Sequence, residues 1–225
     1  MTKLVLFAAF IGCLLLMSFS YDQKKKVLFF GDSITAAGVQ PGGYIKMIDS
    51  LIRQEGKENR YETIGAGIGG NKVYDLYLRM EDDVLKKEPD IVVIYIGVND
   101  VWHKSSSGTG TDLVKFGKFY EAIVAKLQAK DIKVILCTPA VIGERTDYSN
   151  MQDGDLNLYS NWIRQFSRQK ELPLVDLRTL FHDYDAKNNP ENKESGILTT
   201  DRVHLNRAGN WLVAENMWNA IKTIK

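Results

Sequence analysis

Asp90-Ile91-Val92-Val93-Ile94-Tyr95-Ile96 is a continuous apolar, largely β-branched run that ends at Gly97-Val98-Asn99-Asp100. A strand with one face in water alternates apolar and polar residues, whereas a continuous run is covered on both faces, as in a parallel sheet. Outward from it, similar segments occur at Lys26–Phe30, Tyr61–Ile64, Ile132–Cys137 and Leu174–Asp176. Helical stripes lie between them. Val73, Leu76, Tyr77, Met80 and Val84 share one face, as do Leu113, Phe116, Tyr120, Ile123 and Leu127. Two more helices are expected over 157–170 and 206–223, the last burying Trp211, Ala214, Trp218 and Ile221. Alternating strands and helices predict an α/β fold, a three-layer αβα sandwich around a five-stranded parallel sheet. The segments Ala36–Gly43, Val101–Thr111 and Thr138–Asp155 read as long loops, where sites are built.

The ends of the chain set the domain limits. Leu4–Met17 is apolar except for Gly12, follows Lys3, and leads to Ser18-Phe19-Ser20. That is the order of a cleavable secretory signal over residues 1–20, and the run is short for a stable membrane span. The protein is therefore expected to be exported, with one domain over 21–225. Cys13 hints at lipid attachment, but Leu14-Leu15-Leu16 stands where a polar tether is usual, so it reads as part of the apolar run. Without the leader, Cys137 is the remaining cysteine, a small hydrophobe in a strand. The 225 residues carry 29 Lys+Arg and 28 Asp+Glu; losing Lys3 leaves them equal. Balanced charge gives no field for nucleic acid.

Chemistry gathers at the carboxyl ends of the first three strands. Gly31-Asp32-Ser33-Ile34-Thr35 follows the first, Gly65-Ala66-Gly67-Ile68-Gly69-Gly70-Asn71 the second, and Gly97-Val98-Asn99-Asp100 the third. In a doubly wound sheet of flavodoxin-like order 2-1-3-4-5, these ends meet at the switch point. Ser33 at a helix start suits a nucleophile, although Asp32, Ser33 and Thr35 are also ordinary capping residues. The backbone N–H of Ser33, the N–H of Gly67 and the Asn99 amide can each stabilise an oxyanion. A serine needs a base, and His204 has an acid, Asp201, three residues earlier.

These four blocks, in this order, resemble the SGNH (GDSL) hydrolases over about residues 26–225. The resemblance implies Ser33 as nucleophile, His204 as general base and acid, Asp201 as orienting carboxylate, and Ser33, Gly67 and Asn99 as the oxyanion hole. It implies ester hydrolysis through an acyl-enzyme, without metal or cofactor. Two positions depart from the pattern: Gly65 stands where the family has Asn, and Ile34 where it has Leu.

Rival readings are narrower. Gly65-x-Gly67-x-x-Gly70 is literally a dinucleotide fingerprint, but it follows the second strand rather than the first of its unit. A non-catalytic carbohydrate-binding domain leaves the Ser33, Asp201 and His204 set unexplained, and His103, His182 and His204 have no zinc-ligand spacing. Asp32, Trp102 and His103 are candidate substrate contacts, His103 also fitting a plain surface role; His182 reads as structural. The loops Lys104–Ser107, Gly143–Asp147 and Gln152–Asp155 form a polar rim, with Met151, Trp102 and Val141-Ile142 lining a small pocket. Long acyl chains need an apolar channel, at about 0.8 kcal/mol per methylene. The rim favours small-molecule or glycan esters with short acyl groups, such as O-acetyl; a lysophospholipase or lipase is the alternative.

Overall fold

The structure, a computed structural model, describes residues 23–224. The expected leader, with Cys13, lies outside them. Five parallel strands, β1 (Lys25–Gly31), β2 (Tyr61–Gly67), β3 (Ile91–Tyr95), β4 (Lys133–Cys137) and β5 (Leu174–Val175), stand in the order β2-β1-β3-β4-β5. Gly31 pairs with Gly67 on one side and with Tyr95 on the other, so the three block-bearing strand ends lie level.

Eight α-helices cover the sheet among the described residues: α1 (Ser33–Gly38), α2 (Tyr44–Gln54), α3 (Val73–Asp83), α4 (Val98–Ser106), α5 (Leu113–Gln128), α6 (Asp153–Lys170), α7 (Leu177–Asn188) and α8 (Arg207–Ile221). A 3₁₀ turn, Leu85–Lys87, follows α3. Val27–Phe30 and Ile91–Ile96 are buried throughout, which is why both runs lack polar alternation. Cys137 is buried and free, and burial pushes its thiol up. No helix among the described residues is long and apolar enough to cross a membrane.

Several elements differ from the sequence reading: α2 and α7 were not expected, and Ala36, Ala37 and Gly38 of the expected loop Ala36–Gly43 belong to α1. Most of the expected loop Val101–Thr111 is α4, because Val98, Asn99, Asp100 and Val101 are buried consecutively and give no periodic stripe. Helix α6 begins at Asp153 rather than near 157, its first turn taking Asp153 and Asp155 against the positive end of the helix. Trp211 is 44% exposed; α8 turns Val213, Ala214, Met217, Trp218 and Ile221 to the core instead.

Candidate active site

Asp32 ends the first strand's turn and caps α1, its carboxylate accepting the Ile34 N–H at 3.0 Å. Ser33 is then the first residue of α1, where backbone N–H groups have no partner within the helix. Gly31 leaves no room for a side chain, since a Cβ there would meet Tyr95 O at 2.4 Å. The turn that carries Ser33 is thus pressed directly on β3.

Ser33 Oγ lies 2.9 Å from His204 Nε2, and His204 Nδ1 lies 2.7 Å from Asp201 Oδ2. The other Asp201 oxygen accepts the backbone N–H groups of His204 (2.8 Å) and Val203 (3.1 Å). Partial burial works to raise the Asp201 carboxyl, but the His204 ring and these N–H groups outweigh it and hold it below the usual range. An ionised Asp201 accepts the hydrogen bond of the His204 Nδ1–H and so leaves the Nε2 lone pair facing the Ser33 hydroxyl.

The segment carrying Asp201 and His204 is held from beneath by Glu144. Expected on the polar rim, Glu144 is 1% exposed, and its carboxylate accepts the N–H groups of Ile197 (2.8 Å), Leu198 (2.7 Å) and Thr199 (2.5 Å). Glu144 has no partner near it in sequence, so its place could not be read there. Arg202, between Asp201 and His204, has φ +83, and its carbonyl accepts the Gly143 N–H at 2.9 Å. A non-glycine residue in that region is held only by its surroundings.

Asp185 on α7 is buried, and its Oδ1 has no hydrogen-bond partner among the described residues. Burial, reinforced by the Glu144 charge and opposed by Arg178, pushes its carboxyl up to about 7. In the unfolded chain an aspartate titrates near 3.9. Between these values the folded state binds more protons, so the stability contributed by protonated Asp185 is lost as pH rises through this window. Asp185→Asn is expected to raise the unfolding midpoint by a few degrees at pH 8 and leave it nearly unchanged at pH 4. Equal shifts at both pH values in thermal melts would exclude this titration.

Asn99 is buried at the start of α4, and its amide donates to Asn71 O at 3.1 Å. That bond brings the third strand's block to the second strand's. Gly67, expected as a donor, is placed otherwise. Ile68 N–H donates to Gly31 O at 3.3 Å. Bonding residues alternate along a strand, so Gly67 turns its N–H away from β1. A Cβ at Gly67 would lie 2.2 Å from Ala36 N and 2.5 Å from Thr35 C, so its close packing is against the backbone of α1.

The residues after Gly67 do reach Ser33. Asn71 N–H closes a turn on Ile68 O at 3.3 Å, with Gly70 third in that turn at φ +76. A Cβ on Gly69 would lie 3.9 Å from Ser33 Cβ, which sets the turn beside Ser33. Gly69 and Gly70 donate their N–H groups to no acceptor among the described residues. At Gly65, where the family pattern has Asn, a Cβ would meet Val39 Cγ1 at 2.3 Å.

The remaining candidates separate. Asp32 is 2% exposed, so it caps α1 and is not a surface for substrate; burial pushes its carboxyl up to about 7 against the Ile34 bond, with Asp100 adding to the rise. His103 faces Gly70, where a Cβ would lie 3.9 Å from its Cε1. Burial, then Lys72, lower its pKa. Trp102 lines a cleft of about 1030 Å³ with Ile142, Arg145, Met151, Leu158 and Arg202. Val141, expected in that lining, is 2% exposed and belongs to the core. His182 lies on the surface of α7, 3.6 Å from Asp183.

A serine hydroxyl, an imidazole and a carboxylate in line at the carboxyl edge of a parallel sheet define an ester hydrolase of the serine type. Residues 29–212 match the GDSL-like lipase/acylhydrolase family, and the chain belongs to it. It is 30% identical over 205 residues to an acetylxylan esterase of Geobacillus stearothermophilus, covering 84% of this chain and 90% of that protein. The crystal structure of an acetyl xylan esterase, AlAXEase, matches with TM-score 0.86 and 62% identity, covering 87% of this chain and 99% of that one. A catalytic mutant of the Geobacillus stearothermophilus acetylxylan esterase Axe2, with a histidine replaced by alanine, matches with TM-score 0.77 and 26% identity. That match covers 88% of this chain and 94% of the other.

Proposed function

We propose that this serine ester hydrolase removes O-acetyl groups from carbohydrate, acetylated xylan being the substrate class its relatives' names point to. The observation that carries the reading is the unbroken line Ser33 Oγ–His204 Nε2 and His204 Nδ1–Asp201 Oδ2. Ser33 Oγ attacks the acetyl carbonyl carbon while its proton passes to His204 Nε2. His204 keeps its Nδ1 proton, which it donates in a hydrogen bond to the Asp201 carboxylate, and that negative charge stabilises the imidazolium. The oxyanion is met by the Ser33 N–H, the Asn99 amide and the N–H of Gly70, which takes the part expected of Gly67. Collapse expels the sugar oxygen, which takes the proton back from Nε2. Water, deprotonated by His204, then releases acetate from Ser33.

The cleft is assigned to the sugar. Trp102 offers a flat apolar face, and Arg145, Arg202 and the neighbouring Gln152 and Asp155 supply polar groups for hydroxyls. Export by residues 1–20 belongs to the same reading and fits a polymeric substrate outside the cell.

The test is acetate release from acetylated xylooligosaccharides beside a series of p-nitrophenyl esters. Acetate esters are expected to turn over at least about tenfold faster than octanoate, since each methylene beyond a short pocket gains nothing. Faster cleavage of octanoate or palmitate would overturn the acetyl reading in favour of the lipase alternative.

A further inference from the structure

β2 ends at Gly67, and the loop that leads from it to α3 contains Gly69 and Gly70; glycine loses more conformational freedom on folding than any other residue. Something outside the loop has to hold it if its N–H groups are to meet an oxyanion in one place. On α3, one guanidinium touches it at both ends. Arg79 Nη2 donates to Ala66 O at 3.0 Å, just before the glycines, and Arg79 Nε donates to Asn71 Oδ1 at 2.7 Å, just after them.

The same Nη2 also donates to Gly31 O at 2.7 Å, two residues before Ser33. Asn71, held through its side chain by Arg79, presents its carbonyl to the Asn99 amide at 3.1 Å. The guanidinium is itself fixed: Nη1 lies 2.8 Å from Asp83 Oδ2, and its carbon lies 4.7 Å from the centre of the Phe30 ring. Three chain segments that present the donors therefore share one anchor. Besides the Asn99 amide on Asn71 O, Lys72 Nζ also donates to the glycine turn, at 3.2 Å from Gly70 O.

We propose that Arg79 is the positioning residue of the oxyanion hole, its guanidinium fixing the nucleophile turn, the glycine turn and the Asn99 amide relative to one another. The proposal rests on reading Ser33, Gly70 and Asn99 as the donors. Arg79 touches no reacting atom. Its planar fork matters because four acceptors lie in different directions, and a lysine ammonium has neither the reach nor the plane to satisfy them together. Loss of alignment acts where charge develops, so it lowers kcat and leaves KM in place.

The experiment compares wild type, Arg79→Gln, Arg79→Lys and Ser33→Ala, using p-nitrophenyl acetate kinetics together with ¹⁵N relaxation of the Gly69 and Gly70 amides. For Arg79→Gln, kcat is expected to fall about 10- to 100-fold with KM changed less than about threefold, and the two glycine amides to become more mobile. Arg79→Lys is expected between Arg79→Gln and wild type. Unchanged kcat in Arg79→Gln, or full activity in Arg79→Lys, overturns the proposal, as does a loss carried by KM alone. If Arg79→Gln does not fold, Asn71→Ala removes only the Nε partner. It should lower kcat several-fold with more mobile glycines, and no change in either overturns the proposal. Turnover that survives in Ser33→Ala would defeat the serine reading instead, and the relaxation data would still decide whether Arg79 holds the glycine turn.

Discussion

Replacing Ser33 by alanine is expected to lower kcat by about 10⁴-fold or more while the protein stays folded. The hydroxyl is the one group in the site placed to attack a carbonyl and pass its proton to a base, at 2.9 Å from His204 Nε2. Without it, the donors of Ser33, Gly70 and Asn99 still bind a carbonyl oxygen, and what survives is the small catalysis of an oxyanion hole acting on water. Ser33 is half-buried, and its Oγ makes its side-chain bond to His204, a residue partly open to solvent. The unfolding midpoint should therefore move little, which separates lost chemistry from lost structure. Steady-state kinetics with p-nitrophenyl acetate and a thermal melt of the same preparation check both halves.

Gly67→Ala is expected to be nearly as damaging by another route. The new methyl would lie 2.2 Å from Ala36 N, 2.5 Å from Thr35 C and 2.7 Å from Asp32 O. All three are backbone atoms of the turn and helix that carry Ser33, so no side chain can swing aside to make space. Either β2 or α1 moves, and a displacement near 1 Å at a reacting group costs about 10²-fold in rate. We expect kcat/KM to fall by about 10²-fold or more, with a drop in the unfolding midpoint of several degrees. An alanine variant with wild-type melting and activity would show that the two backbones can part without consequence.

These two variants show where the sequence was informative. Ser33, Asn99, Asp201 and His204 announce themselves by residue type: a nucleophile, an amide and a base with its acid, each next to a strand end or the last helix. Gly67 announces only that a glycine is present. Whether it donates an N–H or admits a helix backbone depends on its phase in the β1–β2 ladder, set here by Ile68 N–H bonding to Gly31 O. A one-residue shift of phase would exchange those parts. Glu144 and Arg79 were equally silent. Glu144 holds backbone N–H groups of a remote segment, and Arg79, besides its side-chain partners Asn71 and Asp83, holds the carbonyls of Gly31 and Ala66; a peptide carbonyl or N–H leaves no mark in the amino-acid pattern.

Sequence by itself determined the layers of this protein, because burial on both faces writes itself as continuous apolar runs such as Asp90–Ile96, while the strand order was expected from the doubly wound pattern and is the one the fold has. It also supplied the inventory of side chains that the proposed mechanism draws on, Ser33, His204 and Asp201, since these are particular residue types. Only the tertiary structure decided what holds that inventory in place: Glu144 under the Asp201–His204 segment, Gly67 against α1, and Arg79 across the ends of β1 and β2. Positioning is done by backbone groups and by contacts between distant segments, and these acquire direction only when the chain has folded.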